Sequence, residues 1–406
     1  MSHLIARHGR PTLVLCHNKT LAAQLARELR SFLGNNAVEL FVSYYNHYIP
    51  ESFNEVTGNY VAKKSSINHD IDAMRHRATR ALITRNDVVI VASVSCIYGL
   101  GLPEEYLDAT RAMSVGDEIG SSAKDFFATL ESMLYQNEPN DDEFDRGKYH
   151  AVEVGSDRCD VMVWPPHESF PLRIELGRKG DSQWVITSIE QGHAAGHEKI
   201  STTRIFPAKH HVMSDDRIEN ACLAIEQECD QRVKELNREG KYEEATRLQK
   251  RVCNDVLMLR ETGYCSGAEN YSRHMTGRAE GEAPATLMDY LSLQGREWLL
   301  MMDESHVTLP QLRAMYSGDR ARKERLVKHG YRLPSALDNR PLKEDEFWER
   351  VQQAVFISAT PAARELDLSA RDAVDMVIRP THVCDPVIEV RRYGDSLPVH
   401  FVTMGL

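Results

Sequence analysis

Five short apolar runs, Thr12–Cys16, Ala37–Val42, Val88–Ala92, Trp298–Met302 and Ala354–Ile357, constrain the fold of this chain more than any other feature. Each is rich in Val, Ile, Leu, Ala or Met and nearly free of polar residues, the pattern of strands covered on both faces, as in a parallel sheet. Parallel neighbours need crossover connections, and the amphipathic stretches Lys19–Phe32 and Asp70–Thr84 have the helical period to supply them. The predicted class is therefore α/β, with helices packed on a parallel sheet.

Two segments depart from that texture. Tyr149–Ile189 carries short runs such as DVMVW, LRIEL and WVITSI punctuated by Gly, Asp, Ser and Pro, which predicts a small antiparallel meander. The acidic, Pro-containing stretch Asn137–Asp145 leads into it, so an inserted domain is placed at about 115–208. Asp215–Thr262 reads as a helical hairpin. Its apolar positions are Ile218, Cys222, Ile225, Cys229, Val233 and Leu236, then Ala245, Leu248, Val252, Val256 and Leu259 beyond a turn at Asn237–Gly240.

Composition narrows the function. With 49 basic and 60 acidic residues the net charge is −11, so any nucleic-acid contact has to be local rather than a basic coat. The eight cysteines contain no C-x-x-C pair, and Cys222 with Cys229 fall on one apolar seam; reduced thiols are expected. His193 and His197 have H-x-x-x-H spacing but are flanked by Gly192 and Gly196, which favours a loop over a metal site. No uncharged apolar run is long enough to cross a membrane, and the first residues lack the order of a signal peptide, so a cytoplasmic protein without membrane contact is expected.

Three constellations carry chemistry. WLLMMDESH ends an apolar run with Asp303 and Glu304; at a strand end in nucleotide hydrolases the first acid holds the water shell of Mg²⁺ and the second polarises the attacking water. Such pairs also end strands as caps, but FISAT ends another run with Ser358 and Thr360, and the combination points to nucleotide-hydrolase ancestry. The partner loop G-x-x-x-x-G-K-[ST] is absent: the Gly-Lys pairs, Gly147-Lys148 and Gly240-Lys241, are each followed by Tyr. The second constellation, FVSYYNHYIPESF, holds Phe41, Tyr44, Tyr45, His47, Tyr48 and Phe53, with Tyr60, Lys63 and Lys64 following. Rings interleaved with cations stack unpaired bases and hold phosphates; rings at strand spacing also fill cores, yet adjacent residues alternate faces and cannot all point inward. Third, Arg320, Arg322, Lys323 and Arg332 form a basic stretch that reads either as a solvated face or as backbone contacts on one wall of a DNA groove.

The strings HNKTLAAQL (17–25), FVSYYNHYIPE (41–51), SINHDIDAMRH (66–76), ASVSCIYGLG (92–101), GYCSGAENYSRH (263–274), MDESHVTLPQLRAMYSGDRARK (302–323), GYRLPSALDNRPL (330–342) and FISATP (356–361) resemble the UvrB family of bacterial excinuclease components, in order along nearly the whole chain. The resemblance implies a RecA-like helicase domain 1a at 1–42, 68–114 and 209–378. It also implies a domain 1b at 43–67 and 318–346, and an inserted domain at 115–208 that binds the partner protein UvrA. The start of a second helicase domain would lie at 379–406. By the same resemblance, a hairpin bearing Tyr44, Tyr45, His47, Tyr48, Phe53 and Tyr60, with Lys63, binds damaged DNA against domain 1b, and bases are flipped behind it. Arg320, Arg322, Lys323 and Arg332 are the expected DNA contacts of that domain, and Arg146, Arg173 and Glu175 those to UvrA; UvrC is the further partner. Asp303 (Mg²⁺ through water) and Glu304 take the ATPase roles, and His306, Ser358 and Thr360 join them around ATP. Without a phosphate-binding loop and the arginine fingers of a second domain, these residues are not expected to hydrolyse ATP by themselves. The departures are His47, where the family has a tyrosine, KYHAVEV in place of an arginine-bearing strand, and the divergent RRYGDSLPVHFVTMGL after Val390. A non-catalytic DNA- and protein-binding fragment is the alternative reading; a transcription-repair coupling factor, which shares the insert, is another, disfavoured by the tyrosine-rich segment and DESH.

Overall fold

The computed structural model describes residues 1–153, 157–180, 183–370 and 372–376. Cys384 and the expected start of a second helicase domain at 379–406 lie outside the described residues. Contacts divide the chain into residues 1–361 and a short unit from Ala362, whose described part holds the helix Ala363–Leu368.

Five strands form one parallel sheet in the order Gln353–Phe356, Leu299–Met302, Thr12–Cys16, Val88–Ser93, Ala37–Phe41. The uninterrupted apolar runs follow from alternation, because successive side chains of one strand enter two different cores. Leu13, Leu15, Ile90, Leu300 and Met302 point to one side, with Tyr106, Tyr290, Trp298 and Phe347. Val14, Cys16, Val89, Val91, Leu299 and Met301 point to the other, against Ala22, Ala26 and Leu29 of the helix Lys19–Leu33. Asn18 caps that helix by accepting from Leu21 N, and Asn68 caps the helix His69–Thr84 by accepting from Asp70 N and Ile71 N. One expectation needs correction: the run at 354–357 is only half-buried, Phe356 packing against one core and Val355 and Ile357 against the other. Its strand is the sheet edge, pairing among the described residues with Leu299–Met302 alone, and Gln353 and Ala354 are exposed.

The chain leaves the main body through Arg111–Ser114 and returns through Thr202–Ile205, and these strands pair antiparallel, bringing the two ends of the excursion together. Between them lies a sheet in the order Gln136–Asn137, Lys148–Glu153, Arg158–Trp164, Leu172–Lys179, Gln183–His193, Gly196–Ile200, to which Glu118–Gly120 adds through Gln183–His193. Along Arg158–Trp164 exposure alternates strictly, Cys159, Val161 and Val163 packing under the helix Ala123–Ser132. His193 pairs with Gly196 and Gly192 with His197 across a two-residue turn, so the two imidazoles sit one rung apart on opposite faces and cannot share an ion.

Helices Asp215–Arg238 and Tyr242–Thr262 form the antiparallel pair, with Cys222, Ile225, Cys229, Leu236, Leu248, Val252, Val256 and Leu259 in one core. Both cysteines are buried there as apolar groups.

Where the excursion rejoins the main body, buried histidines form the seam. His76 stacks on His210 at 4.0 Å, His76 Nδ1 lies 3.2 Å from the Tyr106 hydroxyl, and His210 Nε2 is 3.1 Å from Thr79 Oγ1. Burial, aided by His167 and Arg75, pushes the His76 imidazole down to about 3, and burial likewise lowers His210 and His167. These groups are neutral in the folded chain while their unfolded counterparts charge near pH 6.5, so the stability they permit is complete above that pH and is lost as pH falls below it. Chemical denaturation between pH 7.5 and 5 is expected to show that loss, and His76→Gln to flatten it by one proton, about 1.4 kcal/mol per pH unit well below pH 6.5.

Candidate nucleic-acid interface

Beyond Phe41 the chain leaves the sheet as an antiparallel ribbon. Tyr45–Ile49 pairs with Lys64–Ile67 at its base, and Ser52–Asn54 pairs with Asn59–Val61 at its tip. The two ladders are separate, and Pro50 and Glu51 stand between them on one strand. The tip turns at Asn54, whose side chain accepts from Val56 N and Thr57 N, and Gly58, at φ 68°, closes the turn in a conformation that glycine adopts freely.

The rings divide accordingly. Phe41 is buried under the sheet, where the Arg75 guanidinium covers it at 3.9 Å. Tyr44 lies half-buried between that guanidinium, 5.0 Å away, and the Tyr45 ring at 4.4 Å. Tyr45 stacks on Tyr48 at 4.7 Å; Tyr48 and His47 are exposed. Burial raises the phenols of Tyr44, Tyr45 and Tyr48, so all three stay protonated at neutral pH and present uncharged faces to a polyanion. At the tip, Tyr60 lies flat on Tyr331, centroids 4.2 Å apart and planes within 2°, while Phe53 leans on Tyr331 and His329.

Glu51 holds the ribbon to its neighbours. This buried carboxylate accepts from Tyr60 Oη at 2.5 Å, Arg332 Nε at 2.7 Å and Arg251 Nη1 at 3.4 Å, while Arg322 donates to its carbonyl oxygen at 2.6 Å. Outside, Glu55 pairs with Lys328 and His329, whose hydrogen bonds hold its carboxyl down to about 2.

These contacts correct part of the expected DNA surface. Arg332 is 4% exposed and tied to Glu51; Lys323 is 5% exposed and paired with Asp319 at 3.0 Å. Burial puts both beyond the reach of a phosphate, and they brace the wall instead. Arg322, partly buried, shares Asp319 and the Glu51 carbonyl. Arg320 is accessible and bridges to Glu324, Lys63 is half-buried against Glu269 at 2.6 Å, and Lys64 is exposed. Sequence reasoning missed Glu51, Tyr331, Arg251 and Glu269, since a lone acid or ring inside a long string carries no period; the signal available was that GYRLP sets a ring beside a cation, as the ribbon does.

The acids lie elsewhere, at the carboxyl ends of the sheet strands, the usual place for a ligand in an open α/β sheet. Asp303 N donates to Leu15 O at 2.9 Å, and Glu304, in the left-handed region at φ 44°, ψ 52°, opens the helix Ser305–Lys328. Burial, then the Glu304 charge, raises the Asp303 carboxyl. His306 links the two strand ends, with Nδ1 at 2.7 Å from Ser358 Oγ and 3.5 Å from Glu304 Oε2; the Ser358 hydroxyl accepts from Thr360 N. The structure thus gathers Asp303, Glu304, His306, Ser358 and Thr360 in one place, apart from the ribbon rings.

On the outer face of the inserted sheet, Arg158, Asp160, Arg173, Glu175 and Glu190 form a ladder of alternating charge, Arg173 reaching Asp160 at 2.7 Å and Arg158 reaching Glu175 at 2.9 Å. Arg146 stands apart from it, 5.9 Å from the Trp164 ring centroid and bonded to Asp70 at 3.2 Å.

The geometry defines a class: a parallel α/β protein with paired acids at its strand ends and an aromatic ribbon standing beside the sheet. Residues 216–277 match the family model described as UvrB third helical domain. Relatives named UvrABC system protein B from Nostoc sp. and Synechococcus sp. are 49% and 48% identical over 96% of this chain, and one from Gloeobacter violaceus is 47% identical over 96%. The chain spans about 56–57% of the length of these relatives. Along the aligned residues the chain belongs to the UvrB family.

The buried Glu51 cluster generates a stability prediction. Removing one partner strands the others as uncompensated buried charge, so Glu51→Ala should cost on the order of 3 kcal/mol in urea denaturation, well above the effect of removing the exposed Glu55.

Proposed function

We propose that the chain is the DNA-gripping half of a damage-verifying component of nucleotide excision repair. Its ribbon would hold one strand of a locally opened duplex against the wall formed by 318–346. The observation that carries this reading is the ribbon itself: it stands off the sheet, with Tyr45 and Tyr48 stacked and accessible at its base. An aromatic pair of that kind stacks a base of any sequence, as damage verification requires, and an unpaired base costs least to capture where a lesion has already weakened pairing. Backbone contacts fall to Arg320, Lys64 and, once released from Glu269, Lys63.

On this reading the parallel sheet is a RecA-like domain 1a at 1–42, 68–114 and 209–378, the ribbon and its wall at 43–67 and 318–346 are domain 1b, and 115–208 is the module that meets UvrA. The relatives' shared name places them in a UvrABC system, and UvrA and UvrC are accordingly the proposed partners. Arg173 and Glu175 offer a partly exposed, charge-alternating face for UvrA, and Arg146, apart from that ladder, would be a separate contact.

Asp303 and Glu304 fit the metal-facing half of an ATP–Mg²⁺ site: a half-buried carboxylate beside a second acid and a histidine, open at the strand ends. Mg²⁺ there would neutralise phosphate charge. The His306 bridge to Ser358 would report the occupancy of that site to the 353–360 segment. The 406 residues contain no G-x-x-x-x-G-K-[ST] loop for the phosphates, so the chain's own contribution is metal-side positioning.

Two outcomes test the reading. Tyr45→Ala/Tyr48→Ala should weaken binding to bubble DNA about 10- to 100-fold in fluorescence anisotropy, at about 1–3 kcal/mol per stacked base, with the melting transition in place; unchanged affinity would end the ribbon assignment. Arg173→Glu should abolish co-elution with UvrA and leave bubble-DNA affinity within about twofold, because the two surfaces belong to different sheets.

A further inference from the structure

The helical pair 215–262 already reaches the ribbon through Arg251, and a second of its side chains completes the contact that holds the ribbon tip. Tyr60 lies on one face of Tyr331, and the guanidinium of Arg247, from the helix Tyr242–Thr262, covers a Tyr331 face at 4.3 Å from the centroid. Stacked rings attract each other, and a cation over the face of a ring is drawn to its electron-rich quadrupole, so the guanidinium adds a second attraction that holds Tyr331 in place. Arg247 Nη1 also donates to His329 O at 3.3 Å, in the same short loop. The loop lies close against the helix: Gly330 sits at φ 64°, and a Cβ there would lie 2.6 Å from the Glu244 carbonyl oxygen. One turn along the helix, Arg251 joins the Glu51 cluster that receives the Tyr60 hydroxyl.

We infer that Arg247 is a positioning residue for the ribbon, the outer layer of a ring-and-cation latch that sets how readily the tip lifts off Tyr331. The helical pair thereby controls the opening of the ribbon. Arg247 acts through Tyr331 and the His329 carbonyl that it holds. The consequence for function rests on the reading of the ribbon as the DNA grip, whereas the latch itself does not.

Amide hydrogen exchange on the whole chain without DNA tests the latch directly. Arg247→Ala should speed exchange across residues 52–61 about three- to thirtyfold, the effect of losing one partly desolvated cation–ring contact. Arg247→Lys, which keeps a cation for the ring but loses the planar fork, should recover part of the protection, leaving exchange between wild type and Arg247→Ala. Tyr331→Leu should release the tip to a similar degree, and adding Arg247→Ala to it should change little, because the two residues act as one unit. Wild-type protection of 52–61 in Arg247→Ala, or additive effects in the double variant, would overturn the proposal. If Arg247→Ala also loosens 242–262, the Tyr331→Leu background decides: a further rise in tip exchange there counts against the latch. Bubble-DNA affinity is read separately: a released tip with unaltered DNA binding overturns the ribbon's DNA role and leaves the latch standing.

Discussion

A single buried carboxylate, Glu51, ties together segments that the chain separates by up to 281 positions. It sits where the ribbon's two ladders part, and it receives Tyr60 from the returning strand, Arg332 from the loop after the helix Ser305–Lys328 and Arg251 from the helical pair. A carboxylate out of water is tolerable only when its partners are oriented and present together. That requirement fixes the ribbon relative to the wall and the helical pair far more sharply than apolar contact would, because a small displacement leaves charge unpaired in a medium that screens it poorly.

Pairing governs the accessible cations as well. Lys63, Arg320, Arg322 and Lys328 each have an acidic partner within 2.7 Å, so the wall beside the ribbon is internally neutralised. A phosphate backbone has to displace those partners before it gains a contact. On the proposed function, selection would shift from charge to rings: uncharged, half-exposed faces at the ribbon base would discriminate an unpaired base from a stacked one, whereas a permanent basic groove would hold any duplex.

The parallel sheet, the meander and the helical hairpin were legible in the sequence because each depends on a local period: continuous for strands buried on both faces, two for the antiparallel strands, near 3.6 for the helices. The strand at 353–356 escaped that logic in part, since its composition matches a central strand while its position at the edge leaves Gln353 and Ala354 exposed. Arg332 and Lys323 show the more serious limit. A charge run reads as surface by default, and only the tertiary placement of Glu51 and Asp319 turns these two cations inward. The acids at 303–304 were legible as a pair at a strand end, and the resemblance grouped His306, Ser358 and Thr360 with them; the hydrogen bond from His306 to Ser358, which spans 52 positions, was not legible, because it exists only where the two strands are neighbours.

The position of Glu51 also explains why the rings of one ribbon behave as two groups. Pro50 donates no backbone hydrogen bond, so the ladder breaks where the carboxylate turns inward. Below the break, Tyr45 and Tyr48 stack on each other and keep exposed surface; above it, Phe53 and Tyr60 are pressed on Tyr331. A uniform hairpin would transmit a pull on its tip to its base along continuous ladder hydrogen bonds. With the ladder interrupted, the tip can part from Tyr331 while Tyr44 stays wedged against Arg75 and the base keeps its shape. The proposed closure and the proposed base-stacking would thus reside in different halves of one ribbon, where a side chain from the helical pair would bear on the first without disturbing the second.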